Sequence, residues 1–158
     1  MKRALGYIAS FALLSGIAGA QAPNAPAHIL MAPTEVKWGD PPPVFEKGMS
    51  FSVVSGDPSK PGIYVVRAKM PAGYKIAPHW HPGDESVTVV SGQLMVGMGE
   101  TFDAAKMHAL GAGSFAKMPK EMRHYAQAKG ATVIQVHGIG PFGITYVNAA
   151  DDPRPKTN

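Results

Sequence analysis

Cysteine is absent from this chain. No disulfide framework and no thiolate ligand is therefore available, and any bound metal has to be held by imidazole nitrogen and carboxylate oxygen. Charged residues make up only 16% of the chain and no Lys/Arg-rich run occurs, which argues against nucleic-acid or membrane-surface binding. Long apolar runs are missing beyond the N-terminus, and no repeat of fixed period is present. Gly97-Met98-Gly99 is not followed by the helix that a phosphate cradle needs, so it is read as a tight strand end.

What is present is turn chemistry. The 18 Gly and 15 Pro punctuate short runs rich in Val, Ile, Tyr and Phe, the pattern of a many-stranded β protein. Strands are expected near 49–54, 62–70, 74–79, 86–91, 93–98, 107–110, 114–118, 123–128, 131–137 and 142–147. Turns such as Gly56-Asp57-Pro58, Pro82-Gly83-Asp84, Gly111-Ala112-Gly113 and Gly138-Ile139-Gly140-Pro141 separate them, and the only expected helix is a turn or two within 101–107. Such spacing predicts an all-β sandwich or barrel in one domain, residues 49–148.

The ends read differently. Lys2 and Arg3, the apolar run Ala4–Ile17 and the small residues Ala18-Gly19-Ala20 form a secretory signal over residues 1–20, with cleavage after Ala20. Its removal leaves 13 cations against 11 acids, a net charge of +2. The expected location is periplasmic or extracellular, with no stable membrane anchor after cleavage. Residues 21–48 form a Pro-rich arm with short strands expected at 28–31 and 36–38, lying along the barrel or along a partner subunit. Residues 149–158 are expected to be a mobile tail.

One segment carries chemistry. In Gly73-Tyr-Lys-Ile-Ala-Pro-His79-Trp-His81-Pro-Gly-Asp-Glu85, strand alternation sets His79 and His81 on one face and Trp80 on the other. The Pro82-Gly83-Asp84 turn then folds Glu85 back beside them. A fourth ligand is expected from a distant strand across a shared lumen, and His124 fits best. Four such groups left unpaired in an interior would be costly without an ion.

These residues are similar to the cupin superfamily. Gly73, His79, His81, Glu85 and Gly92 match the fixed positions of its first motif, and Gly113, Pro119 and His124 resemble its second. Glu121 stands where the family often has Gly, and Ala128 where it often has Asn. The resemblance covers about residues 60–148 and implies a cupin-type double-stranded β-helix, or jelly-roll barrel. It further implies that His79, His81, Glu85 and His124 hold one divalent ion, Mn, Fe, Zn, Ni or Cu, and that two chains form a homodimer. Three imidazoles with one carboxylate on an octahedral ion would leave two positions for water, substrate or dioxygen.

The function expected is that of an exported metal-dependent enzyme acting on a small organic molecule, of dioxygenase, decarboxylase, lyase or isomerase type. The alternative is a non-catalytic binding or sensor module of the ChrR-like cupin type; fold alone does not choose between them. Gln135 and His137 share one face of their strand, so they are candidate pocket residues if that face turns inward. His28 and His108 are expected at the surface, Trp80 and Tyr125 in the barrel wall, and Met95, Met98, Met107, Met118 and Met122 as core filler.

Overall fold

Ten strands form where the alternating apolar runs are bounded by glycine and proline, in a computed structural model that describes residues 28–156. They are β1 (Ser50–Ser55), β2 (Gly62–Met70), β3 (Lys75–Trp80), β4 (Glu85–Ser91), β5 (Gln93–Met98), β6 (His108–Gly111), β7 (Phe115–Met118), β8 (His124–Ala128), β9 (Thr132–Gly140) and β10 (Thr145–Tyr146). All pairings are antiparallel and build two five-stranded sheets, ordered β1-β2-β9-β4-β7 and β10-β3-β8-β5-β6. The chain is all-β and the two sheets face each other as a jelly roll, as expected from the strand spacing.

The core lies between the sheets. One sheet contributes Val66, Ala68, Val87, Ile134 and Val136, and the other contributes Leu94, Val96 and Ala126, all buried. These residues alternate with outward-facing ones, so each strand gives one apolar face to the interior and one to the outside.

Three expectations change. First, β9 runs through Gly138 and Gly140 instead of turning there, because it pairs with β2 along its whole length, including Tyr64↔Gly138 and Gly62↔Gly140. A side chain at Gly138 would collide with the Tyr64 hydroxyl at 2.3 Å; this glycine therefore serves close approach within a strand, not a turn. Second, β10 covers only Thr145–Tyr146 of the strand expected over 142–147, whereas the helical turn expected within 101–107 is present as a single 3₁₀ turn, Ala104–Lys106, capped by the Asp103 side chain.

Third, the arm makes no strands of its own among the described residues. Residues 28–32 have no regular structure, Pro33–Glu35 is a 3₁₀ turn, and Gly39 forms an isolated bridge with Phe51. Prolines 41–43 remove the donors that a ladder would need. From Val36 onward the arm lies on its own barrel: Val36 and Met49 are buried, the Tyr74 hydroxyl donates to Glu46 O at 2.6 Å, and the Tyr146 hydroxyl donates to Val44 O at 2.7 Å. At the other end, a 3₁₀ turn at Ala149–Asp151, capped by Asn148, begins the expected tail. Residues 1–20, read above as a secretory signal, lie outside the described residues, and no described helix is long and apolar enough to cross a membrane.

Candidate metal centre

Two turns bring the four predicted ligands together at one end of the barrel. His79 lies near the end of β3, directly opposite His124, the first residue of β8. A register shift between Ile76 and His79 sets this pairing. His81 follows the end of β3, and Glu85 opens β4 after the Pro82-Gly83-Asp84 turn. That turn is tied to the one before His124: Asp84 accepts from Lys120 N at 3.0 Å and pairs with Lys117 at 2.8 Å, while Glu121 N donates to His81 O at 2.8 Å.

The position of Glu121 answers the departure noted in the sequence. Its φ of 63° is left-handed, the conformation for which Gly is the usual solution. The turn is thus kept with a Glu at a strained backbone position.

The three imidazoles are buried and their potential ligand atoms lie within 4.8 Å of one another. Each ring is oriented the same way by the backbone. Nδ1–H of His79 donates to Ala77 O at 2.7 Å, that of His81 to Gly143 O at 2.7 Å, and that of His124 to Met122 O at 2.9 Å. A carbonyl only accepts, so Nδ1 carries the proton in each neutral ring and the Nε2 lone pairs are left free for the centre.

Glu85 closes the cluster, with one oxygen 3.6 Å from His81 Nε2 and the other 3.4 Å from His124 Nε2. These are too long for good hydrogen bonds. They match another geometry: two ligands each about 2.0–2.1 Å from one ion stand about 3.0 Å apart at a right angle and about 3.4 Å apart at a tetrahedral angle.

Protonation points the same way. Burial, reinforced by the charges of His124 and His81, pulls His79 down to about 3, and burial also lowers His81. Burial by itself would raise Glu85, but its contact with His124 and the other nearby imidazoles outweighs it and holds the carboxyl below its ordinary value. The centre is therefore a set of acceptors without a donor, and buried His81 Nε2 has no hydrogen-bond partner. A cation satisfies all of them at once.

The ligands open onto a cavity of about 90 Å³ between the sheets. Its walls include Val66, Val87, Leu94, Ile134 and Val136, with Pro42 and Phe45 supplied by the arm. Beyond the four candidate ligands, the only lining side chain among the described residues with a polar group capable of donating a hydrogen bond is Tyr64. Burial, together with the Glu85 charge, pushes its phenol up to about 12.

Residues 66–137 match the family model of the cupin domain. The chain carries a cupin domain. Solved cupin-fold structures agree. The polyketide cyclase RemF from Streptomyces resistomycificus superposes with a TM-score of 0.66 at 15% identity, over 80% of this chain and 90% of that one. A proposed acetylacetone dioxygenase from Methylibium petroleiphilum gives 0.62 at 18%, over 85% and 91%. KdgF from a Halomonas species gives 0.55 at 22%, over 72% and 96%. No curated protein matches the sequence.

Within this cupin the other candidates fall elsewhere. Gln135 and His137 do not line the pocket: Ile134 and Val136 hold the inner face of β9, so their neighbours point outward. There Gln135 accepts from Arg67 Nε at 2.8 Å and meets His137 Nε2 at 3.2 Å. The apolar pair is the better choice for an interior, which decides the face. His28 and His108 are exposed. Tyr125 is fully buried in the wall against Phe102, and half-buried Trp80 is covered by Arg123. Met118 is core, whereas Met98 and Met122 are exposed near the site and are not filler.

Tyr64, Phe142 and the arm residues Pro42 and Phe45 are cavity residues that the sequence reading missed. Alternation within Gly62–Met70 would have set Tyr64 beside Val66 and Ala68. The arm carried no periodic signal at all.

Proposed function

We propose that this cupin is an exported, metal-dependent enzyme acting on a small organic molecule whose oxygen atoms bind the ion. One observation carries the reading: three imidazoles, each with Nδ1–H spent on a backbone carbonyl, and one buried carboxylate aim acceptors at a common point beside a cavity. His79, His81, Glu85 and His124 would hold the ion. When bound it would supply Lewis acidity toward an oxygen ligand and, for a redox-active metal, a route to dioxygen.

The chain's own residues would do the rest. The apolar walls and the arm residues Pro42 and Phe45 keep water from the reacting face. Tyr64, held as a neutral phenol, donates a hydrogen bond or a proton into the cavity. Dioxygenase and lyase chemistry both fit this inventory, and the solved structures of similar fold include a salicylate 1,2-dioxygenase and a proposed acetylacetone dioxygenase.

Elemental analysis of protein made without added metal tests the centre, with one ion per chain expected in wild type and none in His124→Ala or Glu85→Ala. Retention of full stoichiometry in both variants would remove the site. Dioxygen uptake across phenols, diketones and small carboxylic acids tests turnover. Export is supported by the sequence of residues 1–20, and the intact mass of protein recovered outside the cytoplasm should lack Met1–Ala20. Homodimer formation belongs to the same reading. Ile63 and Ile139, paired side by side and exposed, offer a face for it that sedimentation can test.

The second reading, a binding or sensor module without turnover, is favoured by one feature: apart from the candidate ligands, Tyr64 is the only proton-carrying side chain among the described residues that lines the cavity. Zinc held tightly, with no dioxygen uptake and no product, would select it.

A further inference from the structure

Among the described residues, charge lining the cavity is limited to the candidate metal ligands. Among the described residues no Lys or Arg lines it, and Arg67, Lys117 and Arg123, on elements around it, have other partners or other faces. Arg67 is on the outer face of β2 with its guanidinium on Gln135; Lys117 is on the outer face of β7, paired with Asp84; Arg123 lies over Trp80. The preceding segment 21–27 contains no Lys or Arg either. Among the described residues no Ser, Thr, Asn or Gln lines the cavity to solvate a second anionic or polyhydroxylated group.

A divalent ion held by three neutral imidazoles and one carboxylate leaves a single positive charge at the centre. One negative charge from a ligand cancels it. A second would be left in an apolar chamber without a counter-ion, which is among the costliest arrangements a protein interior can hold. Size narrows the class further: at roughly 10–15 Å³ for each water-sized group, the cavity of about 90 Å³ admits a ligand of roughly six to nine heavy atoms.

We infer that the ligand is a small monoanion that chelates through two oxygens and carries an apolar body, such as an enolate, phenolate or hydroxamate in type, and that dianions and sugar acids are rejected. This rests on the metal-site reading above. Its oxygens would take the open positions of the ion, its hydrocarbon part would lie against Val66, Val87 and Val136, and Tyr64 would donate to one of its oxygens.

Titration calorimetry on zinc-loaded protein tests it without any need for activity. Acetohydroxamate and oxalate are both small two-oxygen chelators; the first is a monoanion when bound and the second a dianion. Each affinity is divided by that of the same ligand for aqueous zinc at the same pH, which removes intrinsic chelating strength. The normalised affinity for acetohydroxamate should exceed that for oxalate by about a hundredfold, the scale set by one uncompensated buried charge. Tropolone, a monoanion with a larger hydrocarbon ring, should bind more tightly again, by about tenfold, through added apolar burial. A normalised preference under tenfold, or one for oxalate, overturns the inference while leaving the metal centre intact. Failure of the protein to take up zinc removes the metal reading and this inference together.

Discussion

The two ends of the central cavity are built on opposite principles. At one end three Nε2 lone pairs and a carboxylate converge with no donor among them, and their orientation is fixed by carbonyls of Ala77, Met122 and Gly143. Over the rest, Val66, Val87, Leu94, Ile134 and Val136 form an apolar wall that is stable without any partner. The first end is costly until a cation arrives, whereas the second is what drives folding. Function and stability should therefore separate on mutation, since they depend on different residues of one chamber.

The largest effect belongs to the acceptor end. Replacement of His124 or Glu85 by Ala should weaken metal binding by more than the roughly 10–100-fold that loss of an orienting partner costs, as read by competition with a chromogenic chelator. The metal-free fold should survive, because removal of one acceptor relieves an unsatisfied cluster. A variant that unfolds yet, when refolded, keeps wild-type metal affinity would erase the distinction between the two ends.

The apolar end should answer in the reverse sense. Leu94→Ala deletes buried methyl groups and is expected to destabilise the fold by about 2–3 kcal/mol, the lower part of the usual range because the site already borders a cavity. Urea denaturation measures the loss, and metal stoichiometry should stay at one. A halved stoichiometry in this variant would show that the wall also positions the ligands.

Acid should act through the acceptor end as well. His79 is held at about 3 in the fold against an ordinary value of 6.5, so the unfolded chain binds the extra proton first as pH falls. The stability from keeping it neutral is complete above 6.5 and is lost progressively down to about 3. His81, lowered in the same direction by burial, adds to the slope. The urea midpoint of metal-free protein should fall across that window, and one zinc ion per chain should raise the midpoint most near neutral pH, where His79 and His81 are already deprotonated. A midpoint independent of pH from 6.5 to 4 would mean that the histidines are solvated.

How much of this was legible beforehand differed between the two ends. The acceptor end was readable, because His79-x-His81 on a strand and Glu85 after a Pro-Gly turn are local features, and His124 was found by its own turn spacing. Ten strands were likewise readable from turn chemistry. What could not be read was which face of β9 turns inward, since Gln135 and His137 alternate with Ile134 and Val136 and period alone is symmetric. Cross-sheet packing settles it. Nor could the arm be seen as part of the cavity, because Pro42 and Phe45 belong to a stretch with no periodicity and are placed only by contacts such as Tyr146 to Val44 O. Gly138 was misread for a related reason: a glycine needed for the approach of Tyr64 looks, in sequence, like one needed for a turn.

The smallest expected effect lies in the turn before His124, at Glu121. Its left-handed backbone costs about 1–2 kcal/mol for a residue with a Cβ, and Gly would remove that cost while losing about 0.5–1 kcal/mol to its freer unfolded chain. The side chain is exposed and pairs only loosely with Lys120 at 3.9 Å, so little else is lost. Glu121→Gly should thus stabilise the fold by about 0.5–1 kcal/mol, seen as a higher urea midpoint at unchanged slope. Because Glu121 N donates to His81 O, the same variant reports on the centre: metal affinity should be unchanged if the turn keeps its geometry. A gain in stability with a loss of affinity would mean that the strain at Glu121 holds His81 in place, and that stability and metal binding are coupled after all.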